Sequence, residues 1–222
     1  MNVFDGICST NIQLAERAKA IATDYKTLYV WGCFGAPMTI ANKLRYCNNH
    51  PSNADEECKQ LIHKATADTY GFDCSGLVKG ILWGWKGSKS NYGGALYSSN
   101  DIPDYTADKM ISNCIGVSTD FTDIEIGELV WMTGHCGIYV GDGLVVEATP
   151  KWNNCVQITS CNKTIDGYKR RNWTSHGKLP WISYKHVEKH HVIDETDRAK
   201  IIEKFGELLD LVVAALECKT DN

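Results

Sequence analysis

Hydrophobic positions along the chain predict helices in the first half and strands in the second. From Thr10 to Asp24, apolar residues recur at helical spacing behind a cluster of capping residues, which predicts a first helix. A second apolar stripe predicts a core-facing helix that begins at or near Cys74. Its members are Leu77, Val78, Ile81 and Trp85. Between these helices, residues 37–70 are polar with weaker helical patterns, which predicts a helical insertion.

Residues 87–103 have the composition of a surface loop, and a short helix is predicted near Tyr105–Cys114. After this helix the spacing of the hydrophobic residues changes. Short strand-like runs follow, separated by turns rich in glycine, proline or asparagine. These runs are Glu128–Met132, His135–Val140, Leu144–Thr149, Val156–Ser160 and a last run at Lys178–Tyr184. Helices followed by an antiparallel meander predict an α+β fold with the two groups packed as layers.

The chain has 222 residues and a formal net charge of −4, so bulk charge does not favour binding to nucleic acid. Residues 1–185 are predicted to form one domain, and residues 186–222 a linker and an amphipathic C-terminal helix. The apolar arc of that helix favours packing against the domain, with self-association as the alternative. The N-terminal segment resembles neither a secretory signal nor a membrane span, so we expect a cytoplasmic protein.

The ten cysteines include no Cys-x-x-Cys pair, so neither a zinc-ribbon nor a thioredoxin pattern is present. Most are interpreted as small buried side chains. His186, His190 and His191 have helical metal-binding spacing, but the lysine and glutamate residues around them favour a solvated face. We therefore predict no metal and no cofactor.

Among the ten cysteines, Cys74 has the surroundings that favour a reactive thiolate. A helix that begins near residue 74 directs free N–H groups and its dipole at the thiol, which lowers a pKa that is usually ~8.5. Asp73 can cap this helix, and Ser75 and Gly76 leave the thiol uncrowded. The alternative is a buried helix cysteine after an acidic cap.

A glycine-rich hairpin supplies the candidate base and its partner. His135 lies on the first strand of the hairpin and Glu147 on the second. A two-residue turn would place Glu147 opposite Ile138 on the wrong face, whereas a three-residue loop places it opposite Gly137, diagonal to His135. We predict the three-residue register, in which Glu147 fixes the imidazole tautomer.

Three blocks resemble those of NlpC/P60 cysteine peptidases, in the same order. The blocks are Tyr29-Val30-Trp31-Gly32, Phe72-Asp73-Cys74-Ser75-Gly76-Leu77-Val78 and Gly134-His135-Cys136-Gly137-Ile138-Tyr139-Val140-Gly141. The resemblance implies a papain-like fold with Cys74 as nucleophile and His135 as general base. It also implies that Tyr29 assists the oxyanion or the substrate, and that Asp73 and Ser75 lie near a substrate amino group. The family's third polar residue is often His, and Glu147 occupies that position here.

The resemblance implies a peptidoglycan hydrolase that cleaves a stem-peptide amide, commonly a D-γ-glutamyl–diamino acid bond. Trp152 is our candidate for a further cleft residue, and the long segment between the first two blocks is predicted to form one cleft wall. The alternatives are an N-acetylmuramoyl-L-alanine amidase, another thiol acyltransferase such as a transglutaminase, and a catalytically silent wall-binding module. Phage and prophage endolysins are similar in plan, which implies release to the cell wall during lysis.

Overall fold

A computed structural model describes residues 3–185, 200 and 202–206 of the chain. The chain divides into two compact units, Met1–Lys185 and His186–Asn222. In the second unit, residues 202–206 are helical, and the three histidines and most of the predicted apolar arc lie outside the described residues. No helix in the described ranges has the length and hydropathy needed to cross a bilayer.

Six α-helices are present in the first unit. They are α1 (Asn11–Asp24), α2 (Ile40–Tyr46), α3 (Pro51–Ala54), α4 (Glu56–Lys64), α5 (Cys74–Leu82) and α6 (Ala107–Ser112). Helix α1 begins after Thr10, whose hydroxyl accepts the Gln13 N–H at 3.2 Å in a capping box. Helices α2 to α4 form the predicted insertion, and α1, α5 and α6 match the other three predicted helices.

The strands form two sheets. They are β1 (Lys26–Tyr29), β2 (Phe34–Pro37), β3 (Thr69–Phe72), β4 (Ile115–Ser118), β5 (Leu129–Met132), β6 (His135–Gly141), β7 (Leu144–Thr149), β8 (Cys155–Cys161), β9 (Lys169–Arg171) and β10 (Ser175–Lys178). The small sheet has the order β1-β3-β2, and the large sheet β4-β10-β5-β6-β7-β8-β9. Strands β5 to β8 form the predicted antiparallel meander, so the α+β fold class is confirmed.

The predicted strand at Lys178–Tyr184 is wrong. The last strand of the first unit is Ser175–Lys178, and beyond it only an isolated bridge joins Ser183 to Thr10. Pro180 explains the end of the strand, because proline has no N–H to continue a ladder.

Helix α5 packs between the large sheet and the backbone of β2. A Cβ atom on Gly76 would lie 2.1 Å from the Cys33 carbonyl oxygen, and one on Gly80 would lie 2.6 Å from that of Phe34. These two glycines, which lie one helical turn apart, therefore allow the helix to pack directly on the backbone at the start of β2. The other side of α5 contributes fully buried side chains to the main core: Leu77, Val78, Ile81 and Leu82. This packing fixes the position of Cys74.

The insertion has a small apolar core of its own. Tyr46 of α2 and Ile62 of α4 pack on buried residues of the small sheet and of the segment that joins β1 to β2. Trp85 of the main core ties β2 to that core, because its indole N–H donates to the Gly35 carbonyl at 2.9 Å. The insertion is therefore anchored beside the N-terminus of α5.

Candidate active site

Cys74 is the first residue of α5, and Asp73 caps this helix. One Asp73 carboxylate oxygen accepts the Gly76 N–H at 2.5 Å, and the other accepts the Gly32 N–H at 2.8 Å. The Cys74 thiol thus lies at the helix end where peptide N–H groups have no intrahelical acceptor and the dipole favours an anion. Cys74 is 7% exposed and lines a cleft of about 940 Å³. The thiol is shielded from bulk water but reachable from the cleft.

His135 is the first residue of β6, and its imidazole lies close enough to the Cys74 thiol for the two groups to shift each other's pKa. The Trp173 ring stacks on the imidazole, with centroids 5.4 Å apart and planes 10° apart. Gly137 leaves room for this arrangement, because a Cβ atom there would lie 2.6 Å from the Val145 side chain and 3.2 Å from Trp173. The base therefore has one orientation, set by the aromatic ring behind it.

Glu147 is fully buried and accepts a hydrogen bond from His135 Nε2 at 2.6 Å. This contact leaves Nδ1 as the imidazole nitrogen that faces the thiol. Ile138 pairs with Val146, and the same register places Glu147 opposite Gly137. The predicted register is confirmed at the site.

The tip of the hairpin differs from the predicted three-residue loop. Gly141 pairs with Leu144, so the register shifts by one residue between Tyr139 and the turn. The two residues of the tip, Asp142 and Gly143, have φ +56° and +74°, the left-handed geometry of a tight turn. A bulge thus combines a two-residue tip with the register that aims Glu147 at the imidazole.

Arg171 and Thr159 hold Glu147 from the other side, and the sequence analysis missed both. The Arg171 guanidinium donates to both carboxylate oxygens, at 2.6 and 3.1 Å, and the Thr159 hydroxyl donates to one of them at 2.7 Å. Strand β9 pairs in parallel with β8 and brings Arg171 opposite Cys161. No local motif around Arg171 indicates this long-range contact.

The charges at the site favour a thiolate–imidazolium pair. A hydrogen bond with Cys136, followed by the hydrogen bond and charge of His135, lowers the pKa of the Cys74 thiol to about 4, against the opposing effect of burial. Burial also opposes charge on His135, but its hydrogen bonds to Cys74 and Glu147 raise the pKa of the imidazole to about 9. Although burial acts against it, contact with His135 and Arg171 keeps the pKa of Glu147 below its usual value.

Cys136 is a third residue that the sequence analysis missed at this site. It is completely buried, and its hydrogen bond with Cys74, together with burial, raises its pKa. Cys136 therefore stays a neutral thiol that donates to the Cys74 thiolate. Its position next to His135 in the third sequence block is the only signal that pointed toward it.

Solved structures provide the comparison for this arrangement. NlpC2 from Trichomonas vaginalis is 18% identical over 81% of the chain with a TM-score of 0.43, and NlpC1 from the same organism is 18% identical over 76% with a TM-score of 0.42. The P60 domain of an antigen from M. avium subspecies paratuberculosis is 19% identical over 78% with a TM-score of 0.43. The fold is similar to that of NlpC/P60 domains.

The matched regions cover different shares of these proteins. The chain covers 50% of NlpC2 and 44% of NlpC1, but 98% of the P60 domain. No family model and no curated protein matches the sequence.

Of the four remaining predicted site residues, two line the cleft, and Tyr29 and Trp152 do not. Asp73 and Ser75 line the cleft, and the Ser75 hydroxyl donates to Asp73 at 3.2 Å. Tyr29 lies close enough to Cys74 and Asp73 that burial, followed by their negative charges, raises the pKa of its hydroxyl, which stays a hydrogen-bond donor. Trp152 does not line this cleft. It lies against the Arg171 guanidinium, with the Cζ atom 4.7 Å from a ring centroid.

The lining of the cleft comes partly from the insertion. Arg45, Tyr46 and Asn49 of this segment line the same cleft as Cys74. The other lining side chains include Trp31, Lys79, Tyr92, Tyr97, Asp104 and Asp108. The insertion therefore shapes the space in which a substrate would lie, as the sequence analysis predicted.

Selective alkylation tests the charge state of Cys74. At pH 6 we expect iodoacetamide to modify Cys74 well before the other described cysteines, because each of those has a raised pKa. They are Cys8, Cys33, Cys47, Cys58, Cys114, Cys136, Cys155 and Cys161. Peptide mapping by mass spectrometry measures the label at each position. Uniform labelling, or a Cys74 rate that rises only above pH 8, would contradict an acidic thiol.

Proposed function

We propose that this protein hydrolyses an amide bond in the stem peptide of peptidoglycan, as a D-γ-glutamyl–diamino acid endopeptidase. The supporting observation is the series of contacts from the Cys74 thiol, which lines the cleft, through the His135 imidazole to the buried Glu147 carboxylate. A thiolate, an oriented base and a group that steadies the base are what acyl transfer by a cysteine requires.

The reaction proceeds in two steps. The Cys74 thiolate attacks the amide carbonyl, and the Cys74 backbone N–H, with help from the Tyr29 hydroxyl, stabilises the oxyanion. The His135 imidazolium then donates its proton to the leaving amine, which leaves a thioester on Cys74. In the second step neutral His135 takes a proton from water, hydroxide attacks the thioester, and the carboxylic acid leaves as the thiolate and imidazolium are restored.

Glu147 and its partners hold the base during both steps. Glu147 keeps Nδ1 of His135 directed at the thiol and stabilises the imidazolium. Arg171 fixes the carboxylate, and Trp152 covers the outer side of Arg171. A catalytically silent binding module has no need for this buried, fully hydrogen-bonded arrangement. Release of the protein to the wall during phage lysis stays a prediction.

Digestion of purified peptidoglycan tests the proposed bond. We expect mass spectrometry to find peptides that begin with the free amine of the diamino acid, together with sugar-linked fragments that end in D-glutamate. An amidase would instead release whole stem peptides with a free L-alanine amine. The Cys74→Ala variant is the control for contaminating hydrolases, and absence of any soluble product with the wild-type protein would overturn the proposal.

A further inference from the structure

Arg45 differs from the other charged side chains of the cleft because it has no acidic partner in the part of the chain that the structure describes. It lies on α2 of the insertion, is exposed, and lines the same cleft as Cys74. Within residues 3–185, 200 and 202–206 it makes no ion pair, although a guanidinium offers five N–H donors. Its charge is therefore available to a ligand.

The guanidinium is held by aromatic rings. Its Cζ atom lies 5.2 Å from the ring centroid of Tyr92 and 5.8 Å from that of Tyr46. Tyr92 in turn stacks on Phe34, with centroids 4.3 Å apart and planes 22° apart. A cation–π contact of this kind uses none of the N–H donors of the guanidinium, so they remain able to bind a carboxylate.

The acidic side chains of the same cleft are already engaged. Asp104 pairs with Lys79 and accepts the Tyr97 hydroxyl at 2.9 Å. Asp108 accepts the Trp131 indole N–H and the Gly134 N–H, both at 2.8 Å.

Asp73 is engaged as well, because it accepts three hydrogen bonds from its own helix cap and from Gly32. Lys79 is the other cation of the lining, and Asp104 neutralises it. Arg45 is thus the cationic group of this cleft with open donors.

We propose that Arg45 is a specificity-determining residue that binds a carboxylate of the substrate. This inference rests on the proposed function, because a γ-linked glutamyl residue keeps its α-carboxylate near the scissile amide. The diamino acid supplies a second carboxylate when its own carboxyl group is free. A bidentate Arg–carboxylate contact discriminates an acid from its neutral amide, which has the same shape but lacks the charge.

Four synthetic peptides of the sequence L-alanyl-γ-D-glutamyl-L-lysine test the inference. They carry the glutamyl α-carboxylate and the lysine carboxylate each free or amidated. For wild type we expect kcat/KM to favour one free carboxylate over its amide by roughly tenfold, and Arg45→Gln to remove that preference through KM. The peptide pair that shows the effect identifies which carboxylate is bound.

Lys64→Gln is the matched control, because Lys64 is an exposed cation of the same insertion that does not line the cleft. It should keep the wild-type preference, and both variants should keep the wild-type alkylation rate of Cys74. An unchanged acid-to-amide ratio in Arg45→Gln would overturn the inference.

Failure of the proposed function gives a different result. If wild type cleaves none of the four peptides, the assigned reaction is overturned, and calorimetric titration of Cys74→Ala with and without Arg45→Gln decides the role of Arg45. Roughly tenfold weaker binding of a free-acid peptide to the double variant supports the inference. Equal or undetectable binding in both variants overturns it.

Discussion

Replacing Cys74 with alanine should abolish turnover of peptidoglycan while leaving the fold intact. The change removes the nucleophile, so we expect kcat/KM to fall roughly 10⁴-fold or more. The side chain lies at a helix end and faces a cleft, so its loss should alter the unfolding transition only slightly. Release of soluble wall peptides measures activity, and thermal unfolding followed by circular dichroism measures stability.

Cys114→Ser is the control for this experiment. Cys114 is a half-buried free thiol outside the cleft, and a serine hydroxyl there can still donate to the Met110 carbonyl. It should keep activity within about twofold of wild type, as expected for a conservative change remote from the chemistry. The expected rate for Cys74→Ala is about 10⁴-fold below wild type. Wall degradation by this variant at a tenth of the wild-type rate, about 10³ above that value, would show that another group is the nucleophile.

Breaking the Glu147–Arg171 pair should have the second largest effect, on both stability and activity. In Glu147→Gln the guanidinium and the imidazolium both lose their counter-charge, which should lower the free energy of unfolding by about 3–5 kcal/mol. In Arg171→Met the carboxylate keeps the His135 imidazolium as a partner, so the loss should be smaller. The double variant has neither the guanidinium nor the carboxylate and should recover much of the Glu147→Gln loss. Urea unfolding of the four proteins gives the coupling energy directly.

Activity should follow a different order from stability in the same series. Glu147→Gln should lower kcat/KM roughly 10²- to 10³-fold, which is less than loss of the thiol, because an amide oxygen can still accept from His135. The double variant should stay as inactive as Glu147→Gln although it is more stable. Activity that returns together with stability would mean that Glu147 acts only in folding.

The pH profile adds a readout that a purely structural role does not move. In wild type the thiolate needs a pH above about 4 and the imidazolium a pH below about 9. The Glu147 carboxylate helps to raise the pKa of His135, so Glu147→Gln should lower it and shift the alkaline limb of kcat/KM to lower pH. An unchanged alkaline limb would contradict electrostatic support from Glu147.

Local sequence patterns predicted much of this fold. The apolar stripe after Cys74, with Asp73 as cap, indicated α5 and its first residue, and the capping cluster before α1 did the same there. The hairpin that carries His135 and Glu147 was predicted in the same way, because the alternation of apolar and polar residues and the glycine-rich turn allow few strand registers. Helix caps, helical periodicity and hairpin turns act over a few residues, so one segment of sequence contains them.

Contacts between residues that are far apart in the sequence could not be predicted from it. Strand β9 has only three residues, and its parallel pairing with β8 brings Arg171 to Glu147, which lies 24 positions earlier in the sequence. The hydrogen bond between Cys136 and Cys74 joins the sheet to a helix. The last strand was wrongly predicted to extend past Lys178 because the apolar pattern continues there. The strand ends at Lys178 because Pro180 cannot continue the hydrogen-bond ladder.

The sequence alone therefore determined the candidate nucleophile, the base, the carboxylate on the neighbouring strand and the existence of a helical insertion. The tertiary structure decided how they act: Arg171 and Thr159 fix the carboxylate, Cys136 supports the thiolate, and Arg45 reaches the cleft from the insertion. The physical reason is that charges and hydrogen bonds in a site depend on distances through space. Those distances are set when helices and sheets pack, and no local segment records them.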